Sequence, residues 1–200
     1  MPQKLNLLIF LLSLLISFFS PVKSYAHPHV FVDCQLTFVF NDKGLAGINE
    51  DWIFDEMFGS MVLGEHDKNN DLKISPAEEK SIYNGAFINL KNFDYFTHLN
   101  LDGKHISVAT AEKFKAFVKE GLLHYNFFIP CEIKFSAKKH RLLTAIYDKT
   151  YYTAILLAEN NKIKGLKDSK KVSLDFNQLE ELSYYYGQVV PDGAILTINP

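Results

Sequence analysis

Residues 67–78 read Asp67-Lys68-Asn69-Asn70-Asp71-Leu72-Lys73-Ile74-Ser75-Pro76-Ala77-Glu78. Calcium takes six to eight hard oxygen ligands, and an EF-hand-type loop supplies them from its first, third, fifth, seventh, ninth and twelfth residues. Those positions hold Asp67, Asn69, Asp71, the Lys73 carbonyl, Ser75 and Glu78, with Ile74 at the loop's hydrophobic position. The sixth position departs: a glycine normally makes the sharp turn, and this chain has Leu72. A left-handed leucine costs about 1–2 kcal/mol, which would weaken calcium by about tenfold. A second reading of the same residues stands beside the first. Ser75-Pro76-Ala77-Glu78 is a helix start, with an N-cap serine, a first-turn proline and a capping-box glutamate.

A second constellation depends on export. Lys4 is followed by an uncharged apolar run over 5–19, a break at Ser20-Pro21-Val22-Lys23, and the small-x-small end Ser24-Tyr25-Ala26. These are the three parts of a secretory signal. The apolar run is shorter than the roughly 20 residues that span a bilayer. Residues 1–26 are therefore expected to be cleaved, leaving a soluble exported protein that starts at His27. A terminal amine beside an imidazole chelates copper, nickel or zinc. The square-planar amide site that a histidine at the third position often builds is closed, because Pro28 has no N–H to lose. His27 and His29 remain, sharing a strand face with Asp33. Imidazole and carboxylate suit zinc, nickel or cobalt. Asp51 and Asp55, on the strand expected to face them, could approach. The competing reading is a frayed, solvated terminus.

The elements that would position these residues are mostly strands. From His27 to Phe40 the chain alternates, with Val30, Val32, Cys34, Leu36, Phe38 and Phe40 on one face. Asn41-Asp42-Lys43-Gly44 is a turn leading to a strand over about 46–54. Helices are expected over 56–66 and 76–90. Strands follow at 92–100, 104–109, 111–119, 122–129, 131–136, 142–147 and 151–157. A loop over 160–173, a short helix over 177–187 and a last strand complete the chain. The fold expectation is one α+β domain over 27–200, mostly antiparallel β and sandwich-like, with a two-helix EF-hand-like insertion near 56–90. Aromatic residues at 14% suit a sheet-rich fold. Cys34 and Cys131 could form a disulfide in an oxidising compartment, contributing on the order of 4–5 kcal/mol, or could be two buried thiols.

Charge points away from nucleic acid. The formal net charge is −2, and it falls to −4 without Lys4 and Lys23; lysines are dispersed and form no basic stripe. No G-x-S-x-G, H-E-x-x-H, P-loop or dinucleotide fingerprint occurs. Asp55-Glu56 is the one acidic pair beside aromatics, and neighbours on a strand end point to opposite faces. His66, His98, His105, His124 and His140 lack paired ligand spacing and read as surface or satisfied core residues. The tyrosines of 147–152 and 184–186 read first as packing, with an aromatic ligand surface as the alternative.

Four segments together resemble a known family: the opening His27-Pro28-His29-Val30-Phe31-Val32-Asp33, then Trp52-Ile53-Phe54-Asp55-Glu56-Met57-Phe58, the EF-hand-like loop, and Tyr147-Asp148-Lys149-Thr150-Tyr151-Tyr152. This is a bacterial domain-of-unknown-function family whose members are described as periplasmic components of an uncharacterised ABC-type transport system, often encoded beside nickel/cobalt-type exporters. The resemblance spans essentially the whole processed chain. It implies an envelope location, a link to transport and an inner-membrane transporter as partner, and it implies no catalytic residues. The chain is small for a two-lobed substrate receptor, so an accessory role in divalent metal handling fits better. The cofactors expected are a transition metal (zinc, nickel, cobalt or copper) at the terminus and calcium in the loop. The other readings are a non-catalytic module docking on a transporter with structural calcium only, and an enzyme using a terminal copper site.

Overall fold

The computed structural model describes residues 28–168 and 171–200. In chain order the elements are β1 (Val30–Asn41), β2 (Gly44–Phe54), α1 (Glu56–His66), α2 (Pro76–Gly85), a 3-10 segment (Phe87–Phe96), β3 (Thr97–Leu101), β4 (Lys104–Ile106), β5 (Glu112–Lys119) and β6 (Leu122–Lys134). Then come β7 (His140–Ile146), β8 (Thr153–Leu157), β9 (Lys162–Lys164), β10 (Val172–Gln178), a short 3-10 turn (Glu180–Leu182) and β11 (Asp192–Ile198). Among the described residues no helix is long and apolar enough to cross a membrane.

The alternation of the opening strand survives intact. Val30, Val32, Cys34, Leu36, Phe38 and Phe40 are all buried, and their odd-numbered neighbours are not. At the hairpin turn, Asn41 accepts the Lys43 N–H at 2.8 Å. Gly44 then enters β2 at φ +143, where a Cβ would lie 2.1 Å from the Ile133 carbonyl oxygen. Only glycine lets β6 come that close.

One sheet has the order β5-β6-β2-β1-β8, with β9 also paired to β1; the other has the order β10-β11-β7-β3-β4. Most pairings are antiparallel, while β8 and β9 run parallel to β1. The α+β, mostly β expectation therefore stands. A single cluster of buried residues draws on both sheets, from Leu36, Phe38 and Ile48 on one to Leu99, Leu142 and Leu196 on the other. Trp52 lies at its centre, 1% exposed, stacked parallel to Phe96 at 6.0 Å and edge-on to Phe127 at 5.2 Å.

A carboxyl sits in this core. Glu50 is fully buried on the inward face of β2, between Ile48 and Trp52. It accepts the Trp52 indole N–H at 2.9 Å and the Thr97 hydroxyl at 2.8 Å. The second bond ties one sheet to the other. Burial pushes its pKa from the ordinary 4.5 up to about 7, against the pull of the two donors.

Several element boundaries differ from expectation. The second helix stops at Gly85, and 87–96 is a 3-10 segment with Asp94 and Tyr95 at positive φ, so β3 begins only at Thr97. The two strands expected over 122–129 and 131–136 are one, because Pro130 is exposed and falls at a register shift opposite Gly47. The helix expected over 177–187 is absent: β10 runs to Gln178, followed by a short 3-10 turn and a tight turn closed by the antiparallel Tyr184–Val189 bridge. The loop expected over 160–173 contains β9 and the start of β10.

The disulfide expectation is corrected. Cys34 and Cys131 are both buried free thiols. Cys34 lies opposite Trp52, which lies opposite Tyr125. Cys131 is six residues further along β6, roughly 20 Å at the rise of a strand. A disulfide needs the Cα atoms within about 7 Å. Burial raises the pKa of both thiols, that of Cys131 to about 11.

Candidate functional site

The α1–loop–α2 segment is built by its own caps. Asp55 caps α1 by accepting the Phe58 N–H at 2.9 Å. Ser75 and Glu78 form the capping box of α2, with Pro76 in its first turn. Between them the backbone turns through positive φ at Asn70 (56°) and Leu72 (58°). The leucine thus adopts the conformation that the glycine would have taken, with its side chain 53% exposed. Leu72→Gly is expected to stabilise the fold by about 1 kcal/mol through relief of that strain, read from the shift in the urea midpoint. An unchanged or lowered midpoint would count against strain at this position.

The loop's oxygen donors are engaged as follows. Asp67 is 3% exposed; one carboxylate oxygen accepts the Leu72 N–H at 2.9 Å, and the other is buried with no hydrogen-bond partner among the described residues. Asp71 accepts the Lys73 N–H at 2.8 Å and the Asn69 amide at 3.0 Å. Glu78 accepts the Ser75 and Lys68 N–H groups, each at 2.9 Å. The Ser75 amide and hydroxyl, then the Lys68 amide, hold its pKa below the usual carboxylate range. Both readings of the sequence meet here: the cap is formed, and it uses the carboxylate a cation would need. Among the described residues no group of three or more His, Cys, Asp or Glu side chains stands together closely enough to hold a metal ion.

At the other end of the helix pair, three of the motif segments converge. The Tyr152 carbonyl accepts the His29 N–H at 2.8 Å and the Val30 N–H at 3.3 Å, and the rings of His29 and Tyr152 lie 5.1 Å apart. Phe31 donates its N–H to Asp55 at 2.9 Å, and Asp55 returns its own N–H to the Phe31 carbonyl at 3.0 Å. Asp148, 4% exposed, accepts the Thr150 and Thr153 amides and the Thr150 hydroxyl, which shapes the turn that presents Tyr152. His27 lies outside the described residues. Asp33 is four residues from His29 on the outer face, with Phe31 between them. Asp51 is on the same outer face, opposite Gln35, and meets His124 Nδ1 at 3.2 Å. Asp55 is committed to backbone amides and does not pair with Glu56, which is exposed in the first turn of α1.

The remaining histidines sit largely in structural roles. His66 bonds Ser81, and His140 meets Asp102 at 2.8 Å. His98 bonds the Tyr147 carbonyl and stacks on its ring at 3.8 Å; burial lowers its pKa to about 4. Tyr147 also stacks on Tyr184 at 4.3 Å, and Tyr185 donates to the Lys149 carbonyl. Tyr147 and Tyr184 thus pack, while Tyr151, Tyr152, Tyr185 and Tyr186 are exposed. Sequence reasoning passed over Glu50 and Tyr125. The alternation of β2 gives Glu50 the inward parity, and that signal could have found it.

A cavity of about 190 Å³ opens where the motifs meet. Val30, Trp52, Phe54, Phe58, Tyr152 and Thr153 line it, together with residues that follow α2. What the structure defines is an α+β protein of two antiparallel-rich sheets, with a helical hairpin laid over one end of the larger sheet.

The chain belongs to the family of proteins of unknown function designated DUF1007, whose model matches residues 11–181. It is 36% identical over 141 residues to an uncharacterised 15.5 kDa protein from the trpE 3' region of Spirochaeta aurantia, covering 70% of this chain and 99% of that protein. An uncharacterised protein of Haemophilus influenzae is 28% identical over 155 residues, covering 76% of this chain and 72% of its own length. No solved structure matches the chain.

Proposed function

We propose that this chain is an exported, periplasmic accessory protein that binds a divalent cation in the service of a membrane transporter, with the α1–α2 loop as a calcium-type site. One observation carries the cation reading: the unpartnered, buried oxygen of Asp67, the first ligand position of the loop. A buried carboxylate oxygen without a partner costs free energy unless a proton or cation meets it. The other donors are Asn69, Asp71, the Lys73 carbonyl, Ser75 and Glu78. Binding requires Glu78 to exchange two amides for the ion. That exchange and the strained Leu72 place the affinity near the weak, extracellular end of the range, about 10⁻⁴–10⁻³ M.

The export signal of residues 1–26 and the family resemblance support the envelope location and the transport link. A transition-metal reading of the terminus has its own support: the Tyr152 carbonyl and ring hold His29 against the fold, so a chelate with His27 would stand on an ordered base.

Calorimetric titration of the purified, processed protein with Ca²⁺, Zn²⁺, Ni²⁺, Co²⁺ and Cu²⁺ tests both. Calcium is expected to bind at sub-millimolar to millimolar concentration and to lose at least tenfold in Asp67→Asn. An alanine inserted before His27 is expected to abolish any tight transition-metal binding and leave calcium unchanged. No binding of any of the five at millimolar or lower concentration would sink the metal reading and leave an interaction module that docks on the transporter.

A further inference from the structure

At one end of the smaller sheet, Asp102 lies in the β3–β4 turn, Ser136 in the loop after β6 and His140 at the start of β7. The strand register brings the first and last together. Leu101 pairs with Leu142, the Asp102 N–H donates to the Arg141 carbonyl at 3.0 Å, and one Asp102 carboxylate oxygen accepts the Arg141 N–H at 2.9 Å. The other oxygen meets His140 Nδ1 at 2.8 Å, and His140 Nε2 meets the Ser136 hydroxyl at 3.1 Å. The Arg141 amide, then His140, hold the Asp102 carboxyl below its ordinary range. A carboxylate only accepts, so its bond to His140 puts a proton on Nδ1 and, in the neutral ring, leaves a lone pair on Nε2. That lone pair faces the serine hydroxyl. The hydroxyl also accepts the Lys138 N–H at 3.1 Å and lies 3.2 Å from the Lys138 carbonyl, while the Lys138 ammonium stands 3.5 Å from Asp102. Turn capping explains the Lys138 and Arg141 amide bonds. It does not call for an imidazole bridging the serine and the carboxylate.

We propose that Ser136 is an activated nucleophile, with His140 as its base and Asp102 as the residue that positions His140, and that it hydrolyses small carboxylic esters. A nucleophile within hydrogen-bond reach of a base that a third group orients is the arrangement of covalent acyl transfer. Ser136 Oγ attacks the ester carbonyl carbon, and its proton passes to His140 Nε2. The bond to the leaving oxygen breaks, and His140 returns the proton to that oxygen, releasing the alcohol. Water then attacks the acyl-serine, giving its proton to Nε2. The acyl–Oγ bond breaks, the proton returns to Ser136, and the carboxylic acid leaves. Ser136 is exposed, so it draws little binding energy from a substrate, and the ester it takes is small with a good leaving group. The three residues belong to neither metal site proposed above, so a chelator leaves this chemistry in place.

A fluorophosphonate, which phosphonylates an activated serine with loss of hydrogen fluoride, tests the nucleophile in the purified, processed protein with a chelator present. Peptide mapping is expected to place the adduct on Ser136 at a rate at least about tenfold above that on Ser173, an exposed serine of β10. p-Nitrophenyl acetate is expected to acetylate Ser136 and to release nitrophenolate in a turnover that Ser136→Ala loses. His140→Gln is expected to bring Ser136 labelling down to the Ser173 rate. Asp102→Asn keeps an oxygen for the Arg141 amide but turns an N–H toward Nδ1, favouring the ring tautomer that cannot take the serine proton. It is expected to slow labelling at least about tenfold, with Asp102→Glu recovering part of the loss, while circular dichroism and the thermal midpoint report the fold. Equal labelling of Ser136 and Ser173 in the wild type overturns the proposal and leaves a capped turn. Unchanged labelling in His140→Gln overturns the base, and unchanged labelling in Asp102→Asn overturns the positioning role. Should a variant not fold, the wild-type contrast between Ser136 and Ser173 decides.

Discussion

Glu50→Gln is expected to make this protein more stable at pH 8 and to remove much of the dependence of its stability on pH between about 5 and 8. The carboxyl is fully buried, and its pKa rises from 4.5 to about 7 on folding. Between those values the native state holds a proton that the unfolded state has lost. Stability therefore falls as pH rises through this window, by about 1.4 kcal/mol per pH unit and about 3 kcal/mol in all. Below pH 4.5 both states are protonated and the effect vanishes. Glutamine meets the same partners without charge. Its carbonyl accepts the Trp52 indole N–H, and its amide donates to the Thr97 hydroxyl, which is free to donate to the Tyr95 carbonyl it already reaches at 3.1 Å. For a chain of this size about 3 kcal/mol corresponds to a rise of roughly 6–12 °C in Tm. The measurement is thermal unfolding of both proteins from pH 4 to pH 9. Parallel profiles would show that Glu50 does not titrate in this window. Glu50→Ala separates charge from packing: it leaves a void and an unpaired indole N–H, and should cost about 2–4 kcal/mol at every pH.

Asp55→Ala is expected to cost about 2 kcal/mol at neutral pH. The loss combines the N-cap of α1, about 1 kcal/mol, with the bond that fastens Phe31 to the end of β2. Burial alone would raise the pKa of Asp55. The amides of Phe58, Phe31, Met57 and its own residue outweigh that and hold it below 3.8. The native state thus favours the carboxylate, so this stabilisation is present above pH 4 and fades as pH falls through the depressed value. Urea midpoints at pH 7 and pH 3 test this: the gap between wild type and Asp55→Ala should narrow in acid. Asp55→Asn keeps one accepting oxygen and should fall between the two. An Asp55→Ala protein as stable as the wild type at pH 7 would remove the latch from the account.

Periodicity carried much of the fold. The alternation from Val30 to Phe40, the Asn41–Gly44 turn, α1 over 56–66 and the capping box at Ser75 are local patterns, and local patterns are what a linear sequence encodes. The misses share a cause. Pro130 and Gly47 make a register shift only because they meet across two strands. The segment 177–187 has helix-forming residues, but Leu179 and Leu182 are instead drawn into a small cluster with Leu143 and Ala145. Packing overrode propensity there.

The candidate site divides the same way. The oxygen donors of 67–78 and the histidines at 27 and 29 are legible as residue types at set spacings, and the capping alternative could be read beside them. What the sequence by itself determined was this list of donors, the caps and the faces of the strands. Only the tertiary structure decided that Asp55 latches Phe31 through backbone amides, and that Asp67 holds an oxygen unpartnered among the described residues. It also decided that Cys34 and Cys131 stay apart, and that Glu50 joins two sheets. Each of these depends on which strands become neighbours. Strand order is set by the burial of many side chains at once, and no single spacing in the chain records it.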